Sequence, residues 1–180
     1  MKTATSRGPA GSAGWAAIVL AAAVAVVPAP LDAQEIGLPI GRTPDAVVIE
    51  DLDGKPVDLD RLIGDKPALI EFWATWCPLC AALAPRIAAA HERYGDRVEF
   101  VTIAVAVNES KRSIRRHLED HPVPGHVLWD TDGRATRAFM APSTSYVVVL
   151  DADGRVAYTG AGAEQDIAGA LARALGDAAP

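Results

Sequence analysis

Hydrophobic and polar positions fall into blocks whose period switches between strand-like and helix-like, and those switches predict the elements. Ala46 to Glu50 and Pro56 to Leu59 read as two short strands. Asp51-Leu52-Asp53-Gly54-Lys55 between them carries the Asp and Gly that a tight hairpin turn requires. Ala68 to Trp73 is an apolar run expected to be a buried strand. A helix is predicted from about Leu79 to Tyr94, with Pro78 in its first turn and Pro85 as an interior kink. Val98 to Val107 is nearly all apolar, as expected of a parallel strand covered on both faces.

Ser110 is placed to cap a helix running to about Asp120, with Ile114 and Leu118 on its inner face and Lys111, Arg112, Arg115, Arg116 and Glu119 facing water. His126 to Trp129 is a short strand and Ala135 to Phe139 a short helix. Ser145 to Leu150 and Arg155 to Thr159 form a second hairpin around Asp151-Ala152-Asp153-Gly154, and Gln165 to Leu175 closes the chain as an Ala-rich helix. Strand and helix alternate early, and a strand pair with a helix follows. That order predicts one α/β domain over residues 34–180, with helices on both faces of a mixed central sheet.

Residues 1–33 stand apart. Lys2 and Arg7 precede an apolar run from Trp15 to Val27, and Pro28 to Ala33 supplies a small-residue exit. The pattern is that of a signal peptide, with Leu31-Asp32-Ala33 as an imperfect cleavage site. It also fits an uncleaved signal anchor, because the uncharged stretch over residues 8–31 just reaches the ~20 residues a span needs. Both place the folded part outside the cytoplasm. The remaining composition is ordinary: 180 residues, 50% hydrophobic and 22% charged. A net charge of −6 offers no basic footprint for nucleic acid or an anionic membrane surface.

The chain has two cysteines, Cys77 and Cys80, two residues apart. Bridging them closes almost no loop and so adds little stability, which makes the pair reactive rather than structural. A Cys at the start of a helix has its thiolate favoured by the first-turn N–H groups and by the helix dipole. Cys77 is therefore the expected nucleophile, and Cys80, on the same helical face, the residue that resolves a mixed disulfide. No cofactor beyond the redox-active Cys77–Cys80 disulfide is called for. Glu71, amid the apolar Leu69-Ile70-Glu71-Phe72-Trp73, is the candidate proton acceptor for the inner thiol, with a raised pKa if buried. Strand alternation could instead aim it at solvent. A zinc site completed by His117 and His121 is disfavoured, because 36 residues separate it from the cysteines.

The run Phe72-Trp73-Ala74-Thr75-Trp76-Cys77-Pro78-Leu79-Cys80, with Pro85 following and Leu52-Asp53-Gly54-Lys55-Pro56-Val57-Asp58-Leu59 ahead, resembles the thioredoxin superfamily, in particular its exported TlpA-like and DsbE-like members. The resemblance covers about residues 37–175. It implies a thioredoxin-like fold with an N-terminal β-hairpin extension and an inserted helix–strand segment over residues 98–129. It implies exchange with disulfides or thiols of exported proteins, in the reducing direction, with recycling by an upstream membrane thiol reductant. It also places Glu71 where thioredoxin carries its buried acid. Trp76, Pro78, Pro142 and Thr144 are the expected substrate-binding residues, and a monomer is expected, tethered by residues 8–31 if these are not removed.

Two departures from the family pattern stand out. The family's cis-proline has Pro142 as its nearby candidate, yet counting back from Asp151 puts the expected position near Ser145. Leu79 stands where many relatives have Pro, so the redox potential does not transfer. Two rivals share parts of the pattern. A peroxiredoxin-like thiol peroxidase has Pro and Thr ahead of its cysteine, with the Thr three residues before it; here Thr75 is two before Cys77. A Sco-like copper chaperone has three residues between its cysteines and a distant His ligand.

Overall fold

The computed structural model describes residues 1, 3 and 36–177. The expected signal peptide or anchor over residues 1–33 lies outside them, apart from Met1 and Thr3. No helix among the described residues is long and apolar enough to cross a membrane.

Among the described residues, seven strands and five helices follow one another as β1 (Val48–Asp51), β2 (Pro56–Asp58), α1 (Leu59–Ile63), β3 (Ala68–Trp73), α2 (Pro78–Tyr94), β4 (Glu99–Val105), α3 (Lys111–Asp120), β5 (His126–Asp130), α4 (Arg134–Ala138), β6 (Tyr146–Leu150), β7 (Val156–Ala161) and α5 (Ile167–Ala174). The strands form a single sheet in the order β2-β1-β5-β4-β3-β6-β7. β3, β4 and β5 are parallel neighbours, and the hairpins β1–β2 and β6–β7 add antiparallel edges. The mixed sheet, the hairpin extension and the inserted α3–β5 segment are those expected from the sequence.

Both hairpins use one turn chemistry. Asp51 Oδ1 accepts from the N–H groups of Asp53 and Lys55, and Asp151 Oδ1 from those of Asp153 and Arg155. Gly54 and Gly154 take the left-handed conformation, with φ of 84° and 72°.

Strand alternation divides the core. Ile70, Phe72, Val101, Ile103 and Val148 face one layer, where they pack with Leu59 and Ile63 of α1, Ala135 of α4, and Phe139. Leu69, Phe100, Val147 and Val149 face the other, under Leu83 and Ile87 of α2 and Ile167 and Leu171 of α5. At the carboxyl ends of β3 to β5 the second layer continues as Trp73, Ala104 and Trp129 packed with Ile114 of α3 and with Cys77 and Cys80.

Several boundaries differ from the sequence expectation, and three of these differences have a clear local cause. α1 is an additional turn of helix, capped by Asp58, whose side chain accepts from Arg61 N–H. β4 ends at Val105 because the chain turns outward there: Val107 is exposed and its carbonyl is taken by the Trp76 indole. β6 begins at Tyr146, since Ser145 is left-handed with φ 59° and cannot continue a strand. α2 runs through Pro85 as one helix.

Candidate active site

β3 delivers the chain to the carboxyl end of the parallel strands at Trp73, and a short turn then leads into α2. Cys77 N–H donates to Ala74 C=O at 3.1 Å, closing that turn. Cys77 is the N-cap of α2: its backbone is extended, and its Sγ accepts from Cys80 N–H at 3.1 Å. Pro78 follows at the first helical position, where no N–H is needed. The two cysteines are joined as a disulfide with their Cα atoms 5.3 Å apart. Both sulfur-bearing residues are covered (4% and 1% exposed), while Trp76 and Leu79 on either side stand about half exposed.

Glu71 is buried, as expected of the proton acceptor, and the alternative in which alternation aims it at solvent is not met. Alternation does place it opposite Ile70 and Phe72, but that second face is roofed by α2. Leu69 and Trp73, its neighbours on the same face, pack under Leu83 and against the cysteines respectively. Glu71 thus lies beneath the first turns of α2, with Thr102 and Val147 beside it in the flanking strands. Desolvation pushes its carboxyl up to about 8. Its Oε1 has no hydrogen-bond partner.

The active-site turn is latched to the segment leading into α3. Thr75 N–H donates to Glu109 Oε1 at 2.9 Å, and the Thr75 hydroxyl donates to the same oxygen. Glu109 Oε2 accepts from Ser113 Oγ at 3.1 Å, and Trp76 Nε1 donates to Val107 C=O at 2.8 Å. A cavity of about 380 Å³ opens beside Trp76, walled by Val107, Asp130, Thr136, Pro142 and Thr144. Three of the four expected substrate-binding residues, Trp76, Pro142 and Thr144, therefore share one wall; Pro78 is exposed but does not line it.

No cis peptide bond occurs among the described residues, so the Ala141–Pro142 bond is trans. Of the two readings open for Pro142, the family's cis-proline or an ordinary loop proline, the second is the one found. The position at the start of β6 belongs to Ser145, whose N–H donates to Phe72 C=O of β3 at 2.8 Å. Among the described residues no three His, Cys, Asp or Glu side chains gather as a metal site. His117 instead lies edge-on against Trp73 and stacks on His121, and it is half-buried. Glu109 and Gln165 are site-proximal residues that sequence patterning does not reveal, whereas Ser145 is the position to which counting back from Asp151 leads.

A disulfide capping the helix that follows β3, with a buried acid beneath it, defines the class: a thioredoxin-superfamily thiol–disulfide oxidoreductase. The chain belongs to the Redoxin family, whose model matches residues 40–175. It is 28% identical to the thiol-disulfide oxidoreductase YkuV of Bacillus subtilis over 109 residues, 59% of this chain and 74% of that one. It is 25% identical to the thiol-disulfide oxidoreductase ResA of Bacillus cereus over 118 residues, 65% of this chain and 66% of that one. Among solved structures it resembles a secreted Mycobacterium tuberculosis disulfide oxidoreductase described as homologous to Escherichia coli DsbE, at 27% identity and TM-score 0.61, covering 71% of this chain and 95% of the other. These relatives carry neither a peroxidase nor a copper-chaperone name.

Proposed function

We propose that this protein works outside the cytoplasm as a reductant, passing two electrons from the Cys77–Cys80 dithiol to disulfides in exported proteins. The observation that carries the proposal is Cys77 as the N-cap of α2, its sulfur facing the Cys80 N–H. The same donors and the helix dipole favour a Cys77 thiolate once the pair is reduced. That thiolate attacks one sulfur of the substrate disulfide, and the other sulfur leaves as a thiolate and takes a proton. Cys80 then gives up its proton, attacks Cys77 Sγ and releases the second substrate thiol.

The sum is one protein disulfide formed and one substrate disulfide reduced. Glu71, roofed by α2 and with a free oxygen, is the base that receives the Cys80 proton, either directly or through water. Its carboxyl, raised to about 8, is close enough to ambient pH to return that proton when the pair is next reduced.

The substrate docks over the exposed Trp76 and Pro78, and its flanking chain enters the cavity bounded by Pro142 and Thr144. A membrane thiol reductant recycles the disulfide, and the amino-terminal segment delivers the protein as a monomer, with or without a tether. Support for the exported setting comes from the signal-like pattern of residues 1–33 and from the secreted relative. Replacing Cys77 by Ser abolishes disulfide exchange with an insulin substrate; retained exchange would overturn the reading.

A further inference from the structure

Ser145 occupies the junction between the cavity-lining loop (residues 141–144) and β6, and it does so in the left-handed region, at φ 59°. A non-glycine residue holds that conformation only where its surroundings over-determine it. Here every polar group of Ser145 is engaged. Its N–H donates to Phe72 C=O at 2.8 Å, tying the loop to the strand that carries the active-site turn. Its Oγ accepts from Gly162 N–H at 3.1 Å, and its carbonyl accepts from Gln165 Nε2 at 3.0 Å.

Gln165 is the centre of this arrangement. Its Nε2 also donates to Gly162 C=O at 2.7 Å, and its Oε1 accepts from the Tyr158 hydroxyl at 3.2 Å. Two carbonyls can be answered only by the amide nitrogen, so the orientation of the side chain is fixed by chemistry. Gly160 leaves room for it: a Cβ there would stand 2.2 Å from the Tyr158 hydroxyl and 2.6 Å from Gln165 Oε1.

We propose that Gln165, acting through Ser145, is a positioning residue that holds the 141–144 loop against Trp76 for capture of a protein disulfide. The proposal rests on the oxidoreductase reading above. In this chain a side-chain amide and a left-handed Ser do the work of rigidifying the loop entry. Substitution at Gln165 lets the loop move, which weakens docking of a polypeptide and leaves the sulfur chemistry of Cys77 unchanged.

The test uses the isosteric Gln165→Glu, which donates to neither carbonyl as a carboxylate and to only one as a neutral carboxyl. The variant is compared with the natural protein in insulin reduction driven by dithiothreitol, and in alkylation of the reduced protein by iodoacetamide. The expected result is a KM for insulin raised about tenfold, with kcat and the Cys77 alkylation rate within about twofold. An unchanged KM overturns the proposal, as does an alkylation rate that falls as far as KM rises. Gln165→Met, neutral and of similar length, makes the same test if the buried carboxylate prevents folding. If the natural protein fails to reduce insulin, the oxidoreductase reading fails, and hydrogen exchange then decides the positioning role by itself. Loss of protection at the Ser145 and Gly162 amides in the variant supports that role, and unchanged protection overturns it.

Discussion

Glu71 in the middle of β3 and Gln165 just ahead of α5 are buried to nearly the same depth, 4% and 5% exposed, yet their surroundings differ in kind. Gln165 makes three hydrogen bonds and ties a loop, a hairpin strand and a helix entry together. Glu71 keeps a bare oxygen under the helix that carries the cysteines. Burying a polar group without a partner costs stability, whereas a fully satisfied one rigidifies what it touches. The first arrangement stores proton affinity for chemistry; the second spends its polarity on geometry.

The contrast is broken most severely at Glu71. A carboxyl near 4.5 in the unfolded chain and about 8 in the folded one binds more protons when folded at every pH between those values. Raising pH through that window therefore favours unfolding. Glu71→Gln removes the effect, so the variant and the natural protein match in this respect below pH 4.5 and diverge up to about pH 8. The variant ends up to about 4 kcal/mol the more stable, as urea unfolding at pH 5 and pH 9 would read. Its exchange rate falls by about 10²-fold, because the resolving thiol has lost its base. A variant both no more stable at pH 9 and fully active would erase the distinction between the two buried groups.

A smaller effect sharpens the other side. Tyr158→Phe deletes one of the three hydrogen bonds to Gln165 and leaves both carbonyl contacts in place. About 1 kcal/mol of stability is lost, with unchanged insulin kinetics. A larger kinetic effect would show that Tyr158 orients Gln165 rather than merely contacting it.

Much of this was legible in the chain itself, for local reasons. The Asp and Gly residues of the two hairpin turns, the Ser110 cap of α3 and the apolar run of β3 each act over a few residues, and each is found where the pattern puts it. The cysteine pair was readable because a helix start and a spacing of three are local facts too. Burial of Glu71 was undecidable from alternation alone, since alternation says which face a side chain takes and not whether a helix covers that face. Ser145 and Gln165 are twenty residues apart and Thr75 and Glu109 thirty-four, so no periodicity reports their contact. Pro142 stands near the place of the family's cis-proline but is trans, and the left-handed residue is a serine three positions on.

The unequal roles of the two cysteines are the centre of the account, and trapping tests them most directly. Reduced Cys80→Ser mixed with insulin is predicted to accumulate a stable mixed disulfide through Cys77, released by dithiothreitol and visible by mass. Cys77→Ser should trap almost none, because Cys80 lies within the first turn of α2 and lacks the N-cap position that favours the Cys77 thiolate. Equal trapping by both variants, or trapping through Cys80 alone, would contradict it.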